Sequence, residues 1–274
     1  MKPTHNLYFR YATTLWLLIS CLLLASCVQK PVKVSEAERK AQDSIVSSVS
    51  RLDSLVALQK RMEHEGNLLG SIVAYRELGK RARDDSQFDD ALRFHSEGLT
   101  QAEALGDTLE VVQALNNIGT DYRRMGVLDL AQDYHYRAWT ICREYSDTSY
   151  TARKSRVVSL NGLGNIYLTL GNYERADSAL RLALEGEREL NSPLGQAINY
   201  ANLGSIFRHR GMNDSAWAYF RKSMELNRCV NSTLGISLCH TYFGSMYEQA
   251  HQYDKAIAEY EKAYELMEAS DDEW

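Results

Sequence analysis

The sequence predicts an all-α solenoid of stacked helix pairs, and three observations carry that expectation. Prolines occur only at Pro3, Pro31 and Pro193, so long stretches lack the residue that removes a backbone donor and clashes with the preceding helical turn. Alternating runs of Val, Ile and Thr with polar residues, which mark half-buried strands, are rare. A glycine column runs through Gly79, Gly119, Gly164, Gly204 and Gly244, spaced 40, 45, 40 and 40 residues apart. A fixed period of roughly 20–50 residues is the mark of a repeat architecture.

The first element is an address. Lys2 and Arg10 precede an apolar run from Leu15 to Ala25, the charged and apolar regions of a secretory signal. A spanning anchor needs about 20 apolar residues, more than this run holds. Leu24-Ala25-Ser26-Cys27 resembles a bacterial lipobox, which implies a signal peptide over 1–26, cleavage before Cys27 and lipid on its thiol. Cleavage removes two basic residues and no acidic one, taking the formal net charge from −5 to −7. The expected location is the bacterial cell envelope, lipid-anchored on the periplasmic side. Val28 rather than Asp after the cysteine favours the outer membrane, by resemblance to the sorting rule of enteric bacteria.

Residues 27–36 read as a tether and 37–65 as a helical half-repeat. Ile45, Val49, Leu52, Val56 and Met62 recur at helical spacing. Gly66 lies 40 residues before Gly106, so Arg51 to Glu65 would be the second helix of a degenerate copy. A coiled coil is the alternative, but the pattern is short for one.

Five helix pairs then occupy 66–274. Leu78, Ile118, Leu163, Leu203 and Phe243 immediately precede the column glycines, and Tyr122, Tyr167, Phe207 and Tyr247 follow three later. The column glycine lets two helices approach closely, and the aromatic residue fills the space one turn along the same face. Gly126, Gly171 and Gly211, seven after, end the first helix in a left-handed cap. Ala91, Ala131, Ala176, Ala216 and Ala256, twelve after, let the second helix pack tightly. One such pair cannot bury its apolar face alone, so copies must stack. Five extra residues between the second and third copies predict a longer loop, or a longer helix with a kink, over Ser146 to Arg156. The sequence stops at Trp274 near a repeat boundary with no polar capping helix, although arrays usually need one. That points to a shortened chain or to a homodimer through the open end.

These columns resemble the tetratricopeptide repeat. The matching strings are Leu115-Asn116-Asn117-Ile118-Gly119 leading to Tyr122, Leu160 through Gly164 leading to Tyr167, and Ala201-Asn202-Leu203-Gly204 leading to Phe207. The period exceeds the usual ~34 residues, which is similar to the long-repeat variety of kinesin light chains and LGN-type scaffolds. The early Trp and late Pro of the family are absent. The resemblance covers Ile72 to Ala269 and implies a right-handed superhelix. The layout also resembles the sensor half of membrane-associated regulators of Bacteroidetes, in which an array precedes a membrane span and a helix-turn-helix domain. A truncated sensor of that kind is the alternative reading.

Chemistry is sparse. The acidic balance argues against nucleic-acid binding, which needs clustered cations. No phosphate loop, HExxH or paired CxxC occurs, so neither an enzyme nor a cofactor or metal site is expected. His95 and His135 lie sixteen after their column glycines, where Leu180, Phe220 and Tyr260 stand in later copies, so packing explains them. Cys142, Cys229 and Cys239 read as small buried apolar residues. A disulfide between Cys229 and Cys239 has no support.

In the family the first helix of each pair lines a concave groove, and offsets from the column glycine separate its faces. The groove face should carry the cations Arg76, Lys80, Arg83, Arg123, Arg124 and Arg208. It should also carry the amides Asn116, Asn117, Asn161, Asn165 and Asn202. Amides can hydrogen-bond a peptide backbone without reading its side chains, and Arg forks suit carboxylates. The expected partner is a protein or peptide with acidic residues, held mainly over the first two copies. Solubilising an open face would explain the same polar residues.

Overall fold

The computed structural model describes residues 33–271, with no side-chain description for 270–271. The signal segment 1–26 and Cys27 lie outside the described residues. Twelve helices and no strand occur among the described residues. They are α1 (Glu36–Ser47), α2 (Leu52–His64), α3 (Leu68–Asp84), α4 (Phe88–Leu105), α5 (Thr108–Arg124), α6 (Leu128–Glu144), α7 (Tyr150–Thr169), α8 (Tyr173–Glu189), α9 (Pro193–His209), α10 (Asn213–Cys229), α11 (Thr233–Gln249) and α12 (Tyr253–Asp271).

Local chemistry sets these boundaries. Side chains of Asn67, Asp107, Ser149, Ser192 and Ser232 accept from the free backbone N–H groups that open α3, α5, α7, α9 and α11. Pro193 stands in the first turn of α9, where its missing N–H costs nothing. The turn inside each pair needs one left-handed residue. Gly126, Gly171 and Gly211 supply it with φ of 79°, 72° and 73°, while Ser86 and His251 take φ of 61° and 57° in the first and fifth copies.

The five pairs α3/α4, α5/α6, α7/α8, α9/α10 and α11/α12 pack within themselves, and each second helix packs on the next first helix. The column glycines mark the closest approach. A Cβ on Gly164 would lie 2.6 Å from Leu180, on Gly204 2.7 Å from Phe220, and on Gly244 2.6 Å from Tyr260. In the first two copies the facing residues are His95 and His135, both buried. The histidines therefore hold the packing position the repeat pattern predicts. Around these contacts sit aliphatic clusters such as Leu180, Leu184, Leu203 and Ile206.

The insertion gives the predicted longer loop, a non-helical stretch over 145–149, and α7 is also longer, at 20 residues against 17 for the other four first helices. Cys142 and Cys239 are buried, but Cys229 is exposed, which corrects its core assignment. No described helix is long and apolar enough to cross a membrane.

The N-terminal part departs from expectation. Helix α2 packs on α3 as the second helix of a copy should. Helix α1 packs on α3 as well, rather than pairing along α2. Nor is the expected tether free over 33–36. The Val34 N–H donates to Asp107 (2.9 Å), Lys33 pairs with Asp147 (3.1 Å), and Ser35 forms a capping box with Glu38.

Candidate functional site

The first helices α3, α5, α7, α9 and α11 share one face of the array, and α1 crosses its N-terminal part. Glu36 accepts a hydrogen bond from Thr151 of α7 (3.0 Å), and Asp43 pairs with Arg76 of α3 (2.9 Å). Val46 is buried with Val73 of α3. Between these contacts Arg39, 3% exposed, pairs with Asp107 at 2.7 Å and with Glu110. Both carboxylates are buried, and Asp107 also caps α5. Burial opposes the charge on Arg39, yet the two carboxylates outweigh it and push its pKa up. The socket is peculiar to the second copy. At the place of Glu110 the first, fourth and fifth copies carry Gly70, Gly195 and Gly235.

Between α1 and the face lies a cavity of about 540 Å³. Its arginines are spent. Arg76 reaches Glu110, Gln113 and Asp43, and Arg83 pairs with Asp121 (3.0 Å), whose other oxygen meets His95. The nearby Glu77 is tied to Arg81. Lys40, Lys80 and Lys154 line the cavity with no ion-pair partner among the described residues, against one such carboxylate, Glu36, so its open charge is positive on balance.

The predicted groove residues divide accordingly. Arg76, Lys80, Arg83, Asn116 and Asn117 line the cavity. Asn116 is only 4% exposed, and its amide is taken by Ser155, Ser159 and His135. It is a strut between copies, not an open recognition group. Asn161 donates to Glu187 (3.3 Å), and Asn202 donates to Asn165 (2.8 Å), bridging α7 and α9. Arg208 is bound to Ser245. Arg123 is half-buried, and burial together with Arg124 and Arg83 pushes its pKa down. Arg124, the last residue of α5, is exposed against the α3–α4 turn, outside the cavity.

Sequence reasoning missed the N-terminal halves of the first helices. Positions six and ten before the column glycine also face the groove. They bring Val158 and Lys154 to the first cavity and Leu194, Ile198, Leu234 and Leu238 to a second of about 220 Å³ between α9 and α11. The signal was present: offsets of −10, −6, −3 and −2 continue one helical stripe.

The sequence profile of the tetratricopeptide repeat matches residues 110–189 and 155–228. The fold is that of a tetratricopeptide repeat array. BtubC (BKLC) from P. vanneervenii is similar at 19% identity and TM-score 0.64, over 85% of this chain and 92% of that one. The Rap conjugation gene regulator of plasmid pLS20, solved in complex with the Phr* peptide, is similar at 17% identity and TM-score 0.64, over 77% of this chain and 57% of that one. Aspartyl phosphate phosphatase F from Bacillus subtilis is similar at 15% identity and TM-score 0.62, over 99% of this chain and 67% of that one. No curated protein sequence matches the chain.

Proposed function

We propose that the chain is a non-enzymatic scaffold that holds an acidic peptide segment of a partner protein against its concave face. The carrying observation is the cavity under α1, where every arginine is neutralised and Lys40, Lys80 and Lys154 are not. Three unpaired cations against the single unpaired carboxylate of Glu36 give the concavity a positive balance, which attracts a segment of opposite charge. The two buried histidines support a non-catalytic reading, since both are packed against repeat glycines. A regulator of similar fold is solved with a peptide bound.

Peptide display against the purified chain tests this. Selected sequences should be acidic, and Lys80→Glu with Lys154→Glu should abolish their binding, with wild-type affinity falling as salt rises. A neutral or basic consensus, or binding indifferent to both substitutions, would overturn it.

The second half of the proposal is location. The apolar run Leu15–Ala25 and the Leu24-Ala25-Ser26-Cys27 string support a lipid-anchored envelope protein. Mass spectrometry of the detergent-extracted native protein should find an acylated N-terminal Cys27, and Cys27→Ser should release the chain from membranes. An intact, unmodified N-terminus would contradict this.

A further inference from the structure

The concave face carries two apolar columns that α1 covers at one end only. Six residues before the column glycine stand Val73, Val158, Ile198 and Leu238, with Gln113 in the second copy. Val73 is 2% exposed beneath Val46, whereas Val158, Ile198 and Leu238 are 37%, 49% and 46% exposed. Ten before, Leu109 is buried in the second copy and the third carries Lys154, but Leu194 and Leu234 are 46% and 58% exposed. The bare residues fall on α7, α9 and α11, and four of them surround the apolar cavity between α9 and α11. Grouped exposed aliphatic side chains in a concavity mark an interaction site rather than ordinary surface.

We infer that this stripe receives an amphipathic α-helix of a partner protein, seated on α7, α9 and α11 as α1 is seated on α3, α5 and α7. This rests on the peptide-binding reading and extends it to a second, apolar half of the same face. Helix α1 supplies the geometry. Its residues Glu36, Arg39, Asp43 and Val46 meet α7, α5 and then α3, so eleven residues cross three first helices. At ~1.5 Å per residue that is roughly 15 Å. A partner helix of about a dozen residues therefore spans the bare stripe, with aliphatic residues at i, i+3 or i+4, and i+7 on one face. One of them fills the cavity beside Leu194, Ile198, Leu234 and Leu238. The polar socket that seats Arg39 has no counterpart there, since Gly195 and Gly235 replace Glu110. On α9 and α11 the second helix is thus held by apolar contact, while Lys154 stands beside Val158 on α7.

The test places a benzophenone amino acid at Ile198 or Leu238 of the full chain in its native cells, with the same group at Lys80 in parallel. Crosslinks from Ile198 and Leu238 should map to a segment of another protein with the stated apolar spacing. A synthetic peptide of that segment should gain helicity on binding the purified chain. Ile198→Glu and Leu238→Glu should each weaken it about tenfold or more, and Leu182→Glu, exposed on α8, should leave it unchanged. Crosslinks to residues 1–32, to a second copy or to nothing would overturn the inference. So would a captured segment that binds without helix formation or ignores both Glu variants. If Lys80 captures a partner and Ile198 does not, the peptide-binding reading stands and the helix inference falls; if neither does, both fall.

Discussion

Replacing Arg39 by Ala removes the cation that α1 inserts between Asp107 and Glu110. Arg39 is 3% exposed and each carboxylate 1%, so the variant leaves two buried negative charges with one remaining cation, Arg76 on Glu110. Removing one partner of a buried ion pair costs about 3–5 kcal/mol. Here α1 can lift away and let water reach the carboxylates, so the cost is capped by the docking energy of α1 itself. The array beneath α1 is held by its own helix pairs. The loss should therefore appear as local release rather than global unfolding. At 1.4 kcal/mol per factor of ten, a loss of about 3 kcal/mol speeds exchange of the α1 amides by roughly 100-fold. Hydrogen exchange of residues 36–47 should accelerate by that order, while α8 to α11 keep their protection. Adding Glu110→Gln, which removes one of the two buried charges, should restore part of the loss in a double-mutant cycle. Unchanged protection over 36–47 in the Ala variant would refute the claim that this pair fastens α1 across the concave face.

Three further outcomes follow from the packing and the charges. Gly204→Ala puts a methyl 2.7 Å from ring carbons of fully buried Phe220, which is stacked on Tyr242 at 4.8 Å, so the ring cannot yield. Chemical denaturation should show a loss of roughly 1–3 kcal/mol, and an unchanged midpoint would mean that α9 and α10 are not in contact there. Burial, aided by Arg123, lowers the pKa of His135 from 6.5 to about 4. The unfolded histidine takes up a proton that the folded one refuses, so stability is full above pH 6.5 and falls as pH drops from 6.5 to 4, by on the order of 3 kcal/mol. His135→Gln should flatten that part of the stability profile; a slope identical to wild type would contradict the assignment. Gly171→Ala places a side chain at φ 72° with open space around it, so only backbone strain opposes it. Its cost should stay near ~1 kcal/mol in the same denaturation experiment, and a loss as large as that of Gly204→Ala would show that the turn is packed.

The repeat was readable because each column answers a local physical demand. The glycine column is where His95, His135, Leu180, Phe220 and Tyr260 press against the first helix, and the second glycines are where the chain needs positive φ. Helix α1 was not readable in the same way. Its apolar spacing fits any amphipathic helix, and its place is set by long-range contacts, chief among them the pairing of Arg39 with carboxylates about 70 residues away. The groove was half legible. Offsets near the column glycine found Lys80 and Asn117, but could not show that Arg76, Arg83 and Asn116 are engaged by neighbouring copies. That depends on which residue stands opposite in the next repeat. Lys154 and Ile198 were missed because the N-terminal halves of the first helices were left out of the groove, though the stripe extends into them without a break.

Hydrogen exchange of the full chain, with and without a peptide selected for binding, tests the concave-face assignment most directly. Protection should appear on α3, α5 and α7 around Lys80 and Lys154, and on α1 where it borders the cavity. It should be absent from the outer helices α4, α6, α8 and α10. Protection confined to those outer helices, or to α12, would contradict it.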